Sequence, residues 1–277
     1  MADAGPGDGD LDRFYAADTL SAAAAEQDHE ANLERFATIL AAIESHGTPG
    51  RARGKLLDVG CSIGTSLVVA RERGWEPFGI ELSAAAVAVA RDRHGLDVRD
   101  EPLERAGFEP ASMDAVLMHH TLEHVPEPDR VVRQVFDVLA PGGVMYQSLP
   151  NHGSWKAKLF GKHFGYGITD EHVSHFSTKH LRRLVQDAGF HVARVETWSY
   201  WHDPRLLHDL CARFGLSRWL ARRCGVPPGG RLEPQPYIDF LNRTRWAYFV
   251  CNGLWPHRLC RFCRGGEDLH LIARKPE

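Results

Sequence analysis

The feature that most constrains this chain is the run Leu56-Leu57-Asp58-Val59-Gly60-Cys61-Ser62-Ile63-Gly64. Four residues suited to a buried strand lead into a turn with two glycines, and a helix-favouring stretch over 65–73 follows, ending at Gly74. Glycine admits positive φ and lets a ligand approach the backbone closely. The next apolar run, Pro77-Phe78-Gly79-Ile80, ends on Glu81, 21 residues after Gly60. A strand–turn–helix–strand unit of this length makes two parallel neighbours in one sheet. In such sheets ligands bind beyond the carboxyl ends of the strands, where Gly60 and Glu81 both fall.

The rest of the chain repeats this alternation. A helix over 83–94 with Ser83 as N-cap is predicted, then strands at 115–118 and 144–149 around an amphipathic helix at 127–139. Ala140-Pro141-Gly142-Gly143 is expected to separate that helix from the strand after it. A helix at 178–188, a strand at 190–197 and a last strand at 269–273 complete the pattern. The expected class is α/β, with a mostly parallel central sheet and helices on both faces. Residues 1–10 (Gly, Asp and Pro) read as a disordered lead without the basic start and apolar core of a signal peptide. Residues 11–50 form an N-terminal helical segment, with Leu33, Phe36, Ile39, Leu40 and Ile43 on one face. Residues 51–197 form the ligand-binding core, interrupted by a Gly-, His- and aromatic-rich insertion at 151–177. Residues 198–266 are a second insertion, and 267–277 return to the core. No internal repeat is visible.

Two nucleotide ligands compete for the glycine turn. A dinucleotide fingerprint, Gly-x-Gly-x-x-Gly, would place glycines where this chain has Gly60, Ser62 and Thr65. Only the first fits, which disfavours a nicotinamide-dependent oxidoreductase. A loop of the form acidic-x-Gly-x-Gly-x-Gly matches at Asp58, Gly60 and Gly64, with Ser62 replacing the middle glycine. Charge supports the second pattern. A pyrophosphate needs amides and a helix dipole, and Asp58 would repel it. A ligand carrying an ammonium and a sulfonium would be attracted to Asp58.

Further segments carry a family resemblance: Met113-Asp114-Ala115-Val116, His120-Thr121-Leu122-Glu123-His124-Val125, Leu139-Ala140-Pro141-Gly142-Gly143 and Glu171-His172-Val173-Ser174-His175-Phe176-Ser177. With the glycine loop and Phe78-Gly79-Ile80-Glu81-Leu82-Ser83, residues 55–197 resemble class I S-adenosylmethionine-dependent methyltransferases of the group that includes ubiquinone-biosynthesis O-methyltransferases. The resemblance implies a Rossmann-like methyltransferase fold with a helical, aromatic lid, and S-adenosyl-L-methionine as cofactor. It implies that Asp58, Gly60, Ser62 and Gly64 surround the methionine end. Glu81 would hold the ribose, Leu82 would pack on the adenine, and Asp100 or Glu101 would reach the adenine amino group. His119 would sit beside the sulfonium. The implied reaction is methyl transfer to a small molecule, at oxygen on a phenol, sugar or lipid-like acceptor. A non-catalytic module retaining the fold is the other alternative, against which Asp58 and Glu81 both count.

Removing a hydroxyl proton near neutral pH suits histidine. Candidate bases are His175 and His172 in the first insertion and His120 after the strand at 115–118; His124 reads as structural. Asp170, Glu171, His172 and His175 match no standard metal spacing, so no metal is assigned.

Overall charge is −3, which gives no sign of nucleic-acid binding. Six cysteines without a dense framework suit a reducing compartment, and a cytoplasmic location is expected. Residues 198–266 differ, with eleven arginines against four acidic residues and five of the seven tryptophans. Arginine interleaved with aromatics suits peripheral contact with an anionic membrane or lipid. The same residues would also serve a helical subdomain with aromatics inside and arginines solvated, or a grip on an anionic acceptor. Cys260-x-x-Cys263 has zinc spacing, but no second pair accompanies it.

Overall fold

The computed structural model describes residues 25, 29–47, 53–161, 172–198, 207, 211, 213–227, 240, 243–244 and 266–277. The chain divides into two compact units. The first comprises Met1–Leu149, Lys179–Val195 and His270–Glu277, and the second Pro150–Thr178 and Glu196–Leu269.

The first unit is built on a sheet of seven strands. These are β1 (Lys55–Val59), β2 (Glu76–Ile80), β3 (Asp97–Arg99), β4 (Met113–His119), β5 (Leu139–Pro150), β6 (His191–Trp198) and β7 (Asp268–Arg274). Their order is β3-β2-β1-β4-β5-β7-β6. The pairs β1–β2, β1–β4, β2–β3 and β4–β5 are parallel. Gly142 near the start of β5 donates to Lys275 O, and Lys275 just past β7 donates to Gly143 O, so β7 runs antiparallel to β5. The helices are α1 (His29–His46), α2 (Thr65–Glu72), α3 (Ala84–Ala88), α4 (Pro128–Val138) and α6 (Thr178–Asp187). The second unit contains α5 (Trp155–Phe160) and α7 (Ser217–Arg223).

The apolar stripe read in the sequence is the packing face of α1. Ile39, Leu40 and Ile43 are buried in one cluster with Leu56, Leu67, Leu117, Tyr146 and Ile272, and Leu33 and Phe36 pack against it. Glu44 fixes the far end of α1. Its carboxylate accepts from Arg73 Nη2 at 2.6 Å, Arg53 Nε at 3.0 Å and Trp75 Nε1 at 3.2 Å.

Three elements depart from the sequence reading. The helix expected over 83–94 is α-helical only to Ala88 and widens into a π-turn at Val89–Arg93, where the Arg91 guanidinium reaches forward to Val98 O. Residues 140–143 do not interrupt the chain between α4 and the next strand; β5 starts at Leu139, and its glycines pair with Lys275 just past β7. The short edge strand β3 lacks any alternation that would announce it.

In the second unit, Asn151 is fully buried and ties three segments together. Its N–H donates to Glu267 O and its Nδ2 to Gly266 O, both at 2.7 Å, and its Oδ1 accepts from Gly153. His152 N–H donates to Phe176 O. Ser154 caps α5 by accepting from Ala157 N–H at 3.0 Å, in the stretch that the sequence left without regular structure. Trp198 and Gly266, the two ends of the second insertion, are in contact: a Cβ on Gly266 would fall 2.4 Å from Trp198 O. Most of 198–266 lies outside the described residues, as do the lead at 1–10 and the start of the N-terminal segment.

Burial would raise the Glu44 carboxyl, but its hydrogen bonds from Arg73, Arg53 and Trp75 outweigh this and hold it down at about 2. A depressed carboxylate stabilises the fold above its ordinary value of 4.5, and that stabilisation is lost as pH falls from there towards 2. Glu44→Gln is therefore expected to cost about 2 kcal/mol at pH 7. It should also flatten the acid limb of stability, measured by urea unfolding between pH 3 and 7.

Candidate active site

The turn after β1 is a set of backbone strains held by side chains. Gly60 has φ +82°, and a Cβ there would lie 2.5 Å from Thr121 Oγ1. Gly64, with φ +82°, starts α2 in the left-handed region, and a Cβ there would lie 2.3 Å from Leu96 Cδ1. Ser62 also has positive φ, +49°, although it carries a side chain. The position where the family pattern has glycine is thus left-handed here too, and serine takes that conformation at a cost.

Glu81 immobilises the turn from below. Its Oε2 accepts from Ser62 N–H at 2.8 Å, and its Oε1 accepts from Leu82 N–H and Ser83 N–H, both at 2.8 Å. A carboxylate offers about four lone-pair directions, so one remains for a hydroxyl. Leu82, 37 % exposed, stands uncovered beside it. Ser83 caps α3, as its sequence position suggested.

Asp58 is 2 % exposed and accepts from Ser66 Oγ through Oδ2. Its Oδ1 is buried with no hydrogen-bond partner among the described residues. Burial pushes this carboxyl up to about 7, opposed by the Ser66 hydrogen bond and reinforced by the Glu81 charge. An unsatisfied buried carboxylate oxygen fits an ammonium group, which would supply both the missing hydrogen bond and the missing charge. The residues present therefore suit S-adenosyl-L-methionine. Asp58 offers an anion for the amino acid end, Gly60 and Gly64 offer bare backbone, and Glu81 offers a fixed acceptor for the ribose.

The end of β4 adjoins this turn. Thr121 Oγ1 donates to Val59 O at 2.8 Å, and its side chain fills the space that a Cβ on Gly60 would need. His119 Nδ1 lies 2.5 Å from Ser148 Oγ, and its ring meets Phe36 of α1 edge-on at 5.4 Å. His29, also on α1, contacts Thr65 Oγ1 at 2.8 Å. His120, like Ser62, has positive φ, +53°. Its N–H donates to Ser148 O, and its Nδ1 lies 3.1 Å from Oε1 of Glu123, a carboxylate with 2 % side-chain exposure.

Eight of the predicted site residues therefore come together towards the carboxyl ends of β1, β2 and β4: Asp58, Gly60, Ser62, Gly64, Glu81, Leu82, His119 and His120. Asp100 is drawn into an exposed ion pair with Arg91 at 3.0 Å, whose hydrogen bond holds its carboxyl below the usual range, and Glu101 beside it is exposed. His172 and His175 belong to the second unit. There the His175 ring stacks edge-on against His152 at 4.2 Å. Burial, and secondly the charge of His172, keeps the His175 imidazole below its ordinary value. Asp170, Glu171, Cys260 and Cys263 lie outside the described residues. Sequence reasoning passed over Ser66, Ser148 and Phe36, and it gave Glu123 no role. For Glu123 a signal was present, since a carboxylate three residues after a histidine reaches it across one helical turn.

A seven-stranded α/β sheet with this glycine turn and these two acids defines a class I S-adenosylmethionine-dependent methyltransferase. A methyltransferase-domain family model matches residues 24–195, and the chain belongs to that family. The chain is 31% identical over 167 residues to an Azoarcus protein named ubiquinone biosynthesis O-methyltransferase, covering 56% of this chain and 71% of that one. An Idiomarina loihiensis protein of the same name is 36% identical over 121 residues, covering 41% of this chain and 49% of its own length, so the chain spans about half of that relative. The fold is shared with a SAM-dependent methyltransferase from Archaeoglobus fulgidus at TM-score 0.53, with 14% identity over 88% of this chain and 94% of that one. Membership of this family sets aside the nicotinamide-dependent reading.

Two outcomes are expected. Affinity for S-adenosylmethionine, measured by calorimetry, should fall about tenfold between pH 8 and pH 6 as Asp58 takes up a proton. Asp58→Asn should bind more weakly and remove that slope. Ser62→Gly keeps the N–H bond to Glu81 and relieves the left-handed strain. It should raise stability by about 1 kcal/mol in urea unfolding.

Proposed function

We propose that this enzyme transfers methyl to an oxygen atom of a small-molecule acceptor, with His120 as general base and Glu123 holding it. The observation that carries this reading is the His120–Glu123 pair at the end of β4, next to the residue that packs on Gly60. When bound, S-adenosylmethionine supplies a methyl group already activated on sulfur. The protein must align the acceptor, exclude water and take the hydroxyl proton. With its Nδ1 proton directed at Glu123 Oε1, the His120 ring would be held in one orientation and proton uptake would fall to Nε2. The left-handed backbone of His120 is a local strain of the kind that accumulates at functional sites. Wall positions fall to His119, fixed by Ser148, and to Phe36 on α1. The names of the Azoarcus and Idiomarina relatives support oxygen over nitrogen or carbon. His175, whose imidazole burial keeps below its ordinary value, is the second candidate base.

Incubating the enzyme with a metabolite extract and 13C-methyl-labelled donor, then reading the product by NMR, tests the reaction class. A methoxy signal is expected, and an N-methyl or C-methyl product overturns the assignment. With the acceptor in hand, His120→Ala is expected to lower kcat by about 10²- to 10⁴-fold without weakening donor binding. Glu123→Gln should have a smaller effect, and His175→Ala should leave kcat within a few-fold if His120 is the base.

A further inference from the structure

Between residues 211 and 227 the chain carries four arginines and no acidic residue. This stretch lies beyond residue 195, where the match to the methyltransferase family ends. Its helix α7 has a buried side and an uncovered side. Cys211, Leu220 and Cys224 are buried. Phe214 is 68 % exposed, Leu216 50 % and Trp219 38 %, while Arg213, Arg218, Arg222 and Arg223 are all exposed around them. The Arg223 guanidinium lies 5.7 Å from the Trp219 ring centroid.

The local backbone holds this arrangement in place. Leu216 N–H donates to Cys211 O at 2.6 Å, closing the turn that projects Phe214. At the other end, Gly225 N–H donates to Arg222 O and Val226 N–H to Ala221 O, with Gly225 at φ +80°. That is a Schellman stop, which satisfies the last carbonyls of the helix and fixes its length. Trp219 is therefore exposed on a capped helix, with Phe214 and Leu216 exposed in the turn that leads into it.

We propose that residues 213–223 dock this protein on the surface of an anionic membrane. Three large apolar side chains standing uncovered together mark a contact surface. Phenylalanine, leucine and tryptophan suit insertion at the headgroup level, and four arginines in a stretch without acidic residues complement anionic lipid. No helix among the described residues is long and apolar enough to cross a membrane. A helix of seven residues, about 10 Å long, contributes a foothold and not an anchor. The inference is independent of which atom the enzyme methylates.

The test uses the full chain and vesicles without donor or acceptor. Phosphatidylcholine vesicles containing 30 mol% phosphatidylglycerol should sediment the protein at low salt, and pure phosphatidylcholine vesicles should not. Raising sodium chloride to 0.5 M should release most of it. Arg218→Glu/Arg222→Glu should lower the partition coefficient about thirtyfold, and Phe214→Ser/Trp219→Ser at least tenfold. All four positions are exposed, and circular dichroism and donor affinity should match the parent. No sedimentation with the anionic vesicles overturns the proposal. So does equal binding by parent and variants, or binding to poly(U) RNA in place of vesicles.

Discussion

The Glu81 carboxylate is the interaction on which the site depends. It gathers the backbone N–H groups of Ser62, Leu82 and Ser83, so the end of β2 and the turn after β1 are held as one piece. The charge-assisted hydrogen bond from Ser62 N–H offsets part of the cost of keeping Ser62 left-handed. Glu81 also puts a negative charge near Asp58, which burial already disfavours as an anion. The two acids are therefore poised differently. Glu81 accepts three hydrogen bonds from the backbone, whereas one oxygen of Asp58 has no partner among the described residues.

Much of the fold was legible because it rests on local pattern. The run Leu56–Val59 is uniformly apolar save for Asp58, and such runs become interior strands of parallel sheets. The α1 stripe, Leu33 to Ile43, repeats at helical spacing and packs where that spacing says it must. What escaped depends on partners distant in sequence. Nothing near Pro141-Gly142-Gly143 announces that Lys275 will pair with those glycines and draw them into β5. Likewise Arg91, in the π-turn after α3, donates to Val98 O of β3, an edge strand too short to show a period.

The site divides along the same line. Asp58, Gly60, Gly64 and Glu81 lie within one strand–helix–strand unit, where spacing alone fixes their relation. Phe36, Ser148 and Glu123 join them through tertiary contacts from α1, β5 and the turn after β4. Glu123 is instructive, since its separation from His120 was readable. Its near-complete burial, which makes the pair tight, was not.

The meeting of Trp198 and Gly266 has an evolutionary consequence. A segment that leaves and re-enters at one point can be lengthened, shortened or exchanged while the strands it joins stay in register. The entropic toll of closing such a loop grows only by about 0.6 kcal/mol for each doubling of its length. Descendants of this chain could therefore replace everything between those two residues and inherit the sheet unchanged. New surfaces would arise there faster than new chemistry.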